Sequence, residues 1–231
     1  MSLLERDNIK VEEIDNYHIY SIADNDTPQL SADRLEYTLS NALGAEKIIL
    51  KLEEVKEIYN NIEIQKNEQG IEELGFRNKE IAEKFVGVMS QLSSAYIKPE
   101  NKFSMQFLAD TLKKMSERDL ITFEDLYTLS EQEIIKNIEN CNYDCISEKF
   151  KIWKNATNLY QTDIEPQDKY YVSISPKIRY INPLVKQEEQ YIRVNKISEQ
   201  AKQDIERALN YKTKKYIYLE FTPQKEDDLE R

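Results

Sequence analysis

The chain is short of the residues on which most recognisable active sites are built. Its 231 residues include one histidine, two cysteines, one tryptophan and four glycines. The glycines (Gly44, Gly70, Gly75 and Gly87) are scattered, so no loop can cradle a phosphate. Neither G-x-G-x-x-G nor G-x-x-x-x-G-K-[ST] occurs, which excludes Rossmann and P-loop nucleotide binding. Cys141 and Cys145 stand in Cys-Asn-Tyr-Asp-Cys with no second pair and no histidine cluster nearby. A structural zinc site takes four such ligands, so the expectation is two reduced thiols in a cytoplasmic protein. No apolar run approaches the ~20 residues that cross a bilayer. The start, Met-Ser-Leu-Leu-Glu-Arg-Asp, lacks a signal-peptide layout. The net charge of −11 argues against broad attraction to nucleic acid or to an anionic membrane. A local basic patch, for example around Lys212, Lys214 and Lys215, is compatible with it.

What is present argues for a folded protein. Hydrophobic residues make up 40% and aromatic residues 10% of the chain, with 15 tyrosines suited to half-buried positions. Ile9 to Ile14 and His18 to Ile22 alternate like short strands, and Asp24 to Gln29, with Pro28, reads as a loop. Ser31 is placed to cap a helix carrying Leu35, Leu39 and Leu43, with Gly44 at its end. A second helix covers Lys51 to Asn60. Ile62 to Gln65 and Ile71 to Leu74, around an Asn/Gly turn, suggest a hairpin. Two long helices follow, one with Ile81, Phe85, Val88, Met89 and Leu92 on a face, the other with Phe103, Phe107, Leu108, Leu112 and Met115. Pro99 separates them. Thr122-Phe-Glu-Asp125 and Ser130-Glu-Gln-Glu133 are capping boxes, and a further helix covers Ile146 to Thr157. After Gln161 the pattern changes to alternating runs at Tyr170 to Ile174, Ile178 to Ile181, Tyr191 to Val194 and Tyr216 to Phe221, with a helix over Ser198 to Asn210. The fold class expected is mostly α with a smaller α+β C-terminal part. Residues 1–160 form the helical body and 161–231 the smaller subdomain, divided at the polar run Gln161 to Lys169.

The segment richest in chemistry is Ala32-Asp-Arg-Leu-Glu-Tyr37. Asp33 and Tyr37 are four residues apart and share a helix face, while Arg34 lies about 100° round from Asp33. A carboxylate, a guanidinium and a phenol at a helix N-terminus suit an anion or a metal-bound phosphate. Residue chemistry alone equally allows Asp33 to favour the helix dipole, Arg34 to pair with Glu36 or Glu46, and Tyr37 to pack in the core.

Asp33, Arg34, Glu36 and Tyr37 resemble, position for position, the late Asp-(Arg/Lys)-x-(Asp/Glu)-Tyr motif of HD-domain phosphohydrolases, which include deoxynucleotide triphosphohydrolases. Leu120 to Tyr127 and Lys177 to Val185 are more weakly similar to later parts of such proteins. The resemblance implies a helical HD-like body for residues 1–160. It also implies a metal-dependent phosphohydrolase acting on a phosphate ester, with a nucleotide as one candidate. Asp33 would be the last ligand of a divalent metal (Mn²⁺, Mg²⁺, Fe²⁺ or Zn²⁺), and Arg34 and Tyr37 would face the substrate. The family motif often continues with Arg-Asp where this chain has Ser40-Asn41, so nucleotide specificity does not carry over.

The family site also needs an earlier histidine and a His-Asp pair. His18 is followed by Ile19 and lies fifteen residues before Asp33, so a structural role is expected of it. One carboxylate holds a divalent cation at best weakly. The expectation is therefore the C-terminal part of an HD phosphohydrolase, inactive without ligands from a missing N-terminal half or from a homo-oligomer. An alternative is a degenerate HD-like module that binds a nucleotide or a protein without catalysis. A third is an acidic helical interaction protein whose likeness at Asp33 is coincidental.

Overall fold

A computed structural model of the chain describes residues 3–15, 19–44 and 49–221. In chain order the elements are α1 (Leu3–Arg6), a 3₁₀ turn at Val11–Glu13, α2 (Ala32–Gly44), α3 (Leu52–Asn60), β1 (Ile62–Lys66), β2 (Glu72–Phe76), α4 (Lys79–Tyr96) and α5 (Pro99–Ser116). Then come α6 (Phe123–Thr128), α7 (Glu131–Glu139), α8 (Asp144–Lys154), β3 (Tyr160–Thr162), β4 (Tyr171–Val172), β5 (Leu184–Gln187), β6 (Gln190–Arg193), α9 (Val194–Ile197), α10 (Glu199–Leu209) and β7 (Tyr216–Tyr218). The class is mixed α+β with a helical body. No helix among the described residues is long and apolar enough to cross a membrane.

Contacts group the chain into two compact units, one of residues 1–95 with 177–211 and the other of residues 96–176 with 212–231. The division therefore does not run at residue 161, where the sequence pattern changes. The cause is strand pairing. The first unit holds a four-stranded sheet of order β1-β2-β5-β6, in which β2 and β5, more than a hundred residues apart, run parallel with Gly75 opposite Leu184 and Phe76 opposite Val185. The expected hairpin is β1–β2, with Ile62 opposite Phe76 and Lys66 opposite Glu72. Its turn rests on Asn67, whose Oδ1 accepts from Gln69 N–H (3.0 Å) and Ile71 N–H (3.1 Å), and on Gly70 at φ +76°. A side chain at that φ would be strained.

The apolar faces expected on α2 and α4 are buried except at Leu43 and Ile81, which are half-buried. Leu35, Leu39 and Ala42 of α2, and Phe85, Val88, Met89 and Leu92 of α4, are core residues, with Phe76 against Phe85 at 5.4 Å between ring centres. Ser90 Oγ donates to Asp204 O (2.7 Å) and ties α4 to α10, whose N-cap Ser198 accepts from Ala201 N–H (3.0 Å).

The second unit is organised around aromatic rings. Phe103, Phe107 and Phe150 are buried with Ile121, Ile138 and Ile217. Trp153 packs on Phe107 (5.4 Å) and Phe150 (5.3 Å), and Tyr170 meets Phe103 edge-on (5.8 Å). Pro99 opens α5 at its first turn, where its missing N–H costs nothing. Both capping boxes form: Thr122 N–H and Oγ1–H reach Asp125 Oδ2 (2.7 and 2.6 Å), and Ser130 N–H and Oγ–H reach Glu133 Oε2 (2.8 and 2.6 Å). A three-stranded sheet of order β3-β7-β4 completes the unit.

Three expected strands are absent among the described residues. Val11–Glu13 is a 3₁₀ turn closed by Ile14 N–H to Val11 O (3.0 Å). Of the expected run at His18 to Ile22, His18 lies outside the described residues and residues 19–22 form a turn. Ile178 to Ile181, expected from its alternating sequence, is exposed only at Arg179, and no strand pairs with it. Alternation records which way side chains face, and a ladder requires a partner besides.

Candidate functional site

Asp33, Arg34 and Tyr37 occupy the first two turns of α2, as the sequence indicated, with Asp33 and Tyr37 exposed and Arg34 half-buried. The chain before the helix folds back onto its N-terminus. Ile22 O accepts from Ala32 N–H (2.8 Å), Ala23 O from Asp33 N–H (3.1 Å), and Ser31 Oγ from Arg34 N–H (3.3 Å). A helix normally leaves these donors open, and they are what an anion uses at a helix N-terminus. Here the protein has closed them.

Arg34 is turned into the same loop. Its Nη1 donates to Asn25 Oδ1 (2.5 Å), Ser31 Oγ (3.2 Å) and Gln29 O (3.4 Å), its Nη2 donates to Asn25 O, and Asp24 pairs with it at 3.6 Å. Asp24, rather than Glu36, is thus its carboxylate partner, and Glu46 lies outside the described residues. A planar guanidinium has five donors in fixed directions, and this one spends most of them on residues 24–31. Asp33 is exposed and takes no part in the ion pairs of the described residues. Tyr37, one turn further on, is 41% exposed rather than a core residue. Glu36 accepts from Ser40 Oγ (2.5 Å), and Asn41 Nδ2 donates back to Tyr37 O (2.7 Å), so the Asn41 side chain is engaged by its own helix.

The loop that holds Arg34 is itself held by a buried ionic knot the sequence reading did not find. Glu73, fully buried in β2, accepts from Leu30 N–H at Oε1 (3.1 Å). Leu30 O in turn accepts from Leu74 N–H (3.2 Å) and from Asn25 Nδ2 (3.2 Å). Arg193 of β6 grips Glu73 through Nη1 (2.7 Å) and Nη2 (3.0 Å), grips Glu68 through Nε (2.9 Å) and Nη2 (2.8 Å), and donates to Asn182 O (3.0 Å). Burial would lower the Arg193 pKa, but hydrogen bonds to Glu68 and Glu73 outweigh it and raise the group above its ordinary value. Hydrogen bonding to Arg193 brings Glu68 down to about 2. Asn182 N–H donates to Pro28 O (2.8 Å), a second stitch on the same loop. Arg193, Glu73, Leu30, Asn25 and Arg34 thus form one hydrogen-bonded chain from the sheet to α2.

These residues do not fit a metal by themselves. Among the described residues no group of three or more His, Cys, Asp or Glu side chains could hold an ion. Cys141 and Cys145 are both free thiols. In the second unit, Trp153 Nε1 donates to Ser104 Oγ (3.3 Å) beside an open cleft of about 340 Å³, bordered also by Glu100, Lys154, Asn158 and Leu159. Its one full cation, Lys154, pairs with Glu139 (2.6 Å).

No family model matches the sequence, and no solved structure matches it. Among curated proteins the chain is similar to an uncharacterized protein of Bacillus subtilis (strain 168), YdhJ, at 23% identity over 213 residues. The match covers 89% of this chain and 59% of that protein, so the chain spans less than two thirds of its relative's length.

Proposed function

We propose that this chain is the C-terminal part of a metal-dependent HD phosphohydrolase acting on a phosphate ester, with nucleotides among the candidate substrates. The observation carrying the reading is the Asp33-Arg34-x-Glu36-Tyr37 match on an ordered helix, with the Asp33 carboxylate left exposed. In this reading Asp33 is one ligand among several, and Tyr37 borders the substrate. The remaining ligands come from another segment or subunit, since the described residues do not build a metal site. With the metal site incomplete among the described residues, the chain alone is expected to be inactive.

The test is metal content by elemental mass spectrometry after dialysis against dilute Mn²⁺, alongside hydrolysis of bis-p-nitrophenyl phosphate and of deoxynucleoside triphosphates. The chain alone should hold well under one equivalent and hydrolyse nothing. Adding the part of the Bacillus relative that lies outside the matched region should bring both metal and activity, and Asp33→Ala should remove both. Metal and activity that survive Asp33→Ala would dismiss the assignment.

A second reading, a degenerate HD-like module without catalysis that takes a nucleotide or a protein partner, is favoured by one observation. Most of the Arg34 donors are already spent on residues 24–31. It predicts nucleotide binding, by calorimetry, that neither needs metal nor changes in Asp33→Ala.

A further inference from the structure

Helix α6 is six residues long and buries none of them. Helices this short are marginal unless they pack an apolar face or are strongly capped. The Thr122–Asp125 box supplies the cap, and nothing supplies the packing. The chain is anchored on either side by Ile121 (2% exposed) and Ile138 (1% exposed), so the intervening turn stands out from the core. It carries Phe123 at 77% exposure, Tyr127 at 86% and Leu126 at 38%. Positions 123, 126 and 127 have the i, i+3, i+4 spacing of one helix face. Large apolar side chains grouped this way mark an interaction site more often than chance exposure does.

The surroundings state what kind of partner would fit. From Arg118 to Lys136 the sequence has Asp119, Glu124, Asp125, Glu131 and Glu133 against the two bases at its ends, an excess of three acids. Glu124, Glu131 and Glu133 are exposed. Hydrogen bonds from Thr122 and Ser130 hold Asp125 and Glu133 below their ordinary pKa, so the rim stays anionic around neutral pH. A second copy of this chain would bring the same acids against them in a symmetric contact, which like charges oppose. We infer that the Phe123–Leu126–Tyr127 face is a docking surface for a basic amphipathic helix of a partner protein. Such a helix would lay its apolar stripe on Phe123 and Tyr127 and its lysines or arginines on the acidic rim.

The test uses the full chain and a fluorescein-labelled fifteen-residue Leu/Lys peptide patterned as an amphipathic helix, read by anisotropy. Two control peptides share its composition or its pattern: a scrambled Leu/Lys sequence and a Leu/Glu helix. Saturable binding of the patterned peptide alone is expected, weakening as salt is raised. Phe123→Ser with Tyr127→Ser should weaken it by about tenfold or more. Both positions are exposed, and a circular-dichroism melt matching the parent chain confirms that the variant folds. Equal binding of the scrambled peptide, or no loss in the variant, would overturn the proposal. Concentration-dependent self-association abolished by the same substitutions would assign the face to a second copy instead.

Discussion

Both compact units have an apolar core, and they differ in what is added to it. The first adds a polar knot, in which Glu73, Glu68 and Arg193 join β2, β6 and the 24–31 loop across 43 to 125 residues of sequence. The second relies on rings, with Phe103, Phe107, Phe150, Trp153 and Tyr170 packed at 5.3 to 5.8 Å. The burial that drives ring packing is non-directional, although the rings prefer stacked or edge-on pairs. A buried ion pair is directional, and removing one partner leaves the other charge stranded. The difference teaches that the segment with the chemical motif is fixed by the less forgiving of the two devices.

The largest expected effects fall on the centres of the two regions. Glu73→Ala should destabilise by about 3–5 kcal/mol, because it leaves the buried Arg193 only the exposed Glu68 as a carboxylate partner and leaves Leu30 N–H unpaired. Phe103→Ala should cost a similar amount, about 3–5 kcal/mol, by leaving a cavity. Urea melts separate the two. Trp153, the chain's single tryptophan, reports the aromatic region by fluorescence, and far-ultraviolet circular dichroism reports all helices. Glu73→Ala should shift the circular-dichroism transition more than the fluorescence one, and Phe103→Ala should shift fluorescence fully. Coincident shifts in both variants would break the comparison.

Arg34→Ala comes next, at about 1–2 kcal/mol from the polar groups of Asn25 left without a donor. Restoring a cation with Arg34→Lys should recover only part of this, since an ammonium cannot repeat the fork. Full recovery would show that charge rather than geometry holds the loop.

Acid should then distinguish the knot from the rings. Glu68 has a folded pKa near 2 against an ordinary carboxylate value, so its contribution is present above that ordinary value. It is lost as pH falls from about 5 towards 2. Glu68→Gln should flatten this part of the stability-versus-pH curve followed by circular dichroism, while Phe103→Ala should leave its slope unchanged. The smallest effect is Thr122→Ala, about 1 kcal/mol from loss of the α6 cap, visible as faster amide exchange at Asp125 with little change in the global melt.

The motif's place was legible. Ser31 caps α2, Asp33 and Arg34 enter its first turn, and Leu35 and Leu39 face the core, because capping and helical period are local properties. The orientation of Arg34 was not, since its partners Asn25 and Asp24 lie in a loop with no period of its own. Glu73 was hidden for a related reason. In sequence it is the second of two glutamates in a hairpin strand, and nothing local marks it as the one that meets Arg193 120 residues later.

By itself the sequence determined the elements whose cause lies within a turn or two: the capped helices, the Asn67–Gly70 hairpin, the aromatic stripe of α5 and the Asp33 to Tyr37 motif. Tertiary structure alone decided that β5 returns to pair with β2, that Ile178 to Ile181 finds no partner, and that Arg34 clasps its own loop. Those outcomes depend on which distant groups satisfy buried donors and acceptors. That is a condition on the whole packed chain, and no window of sequence contains it.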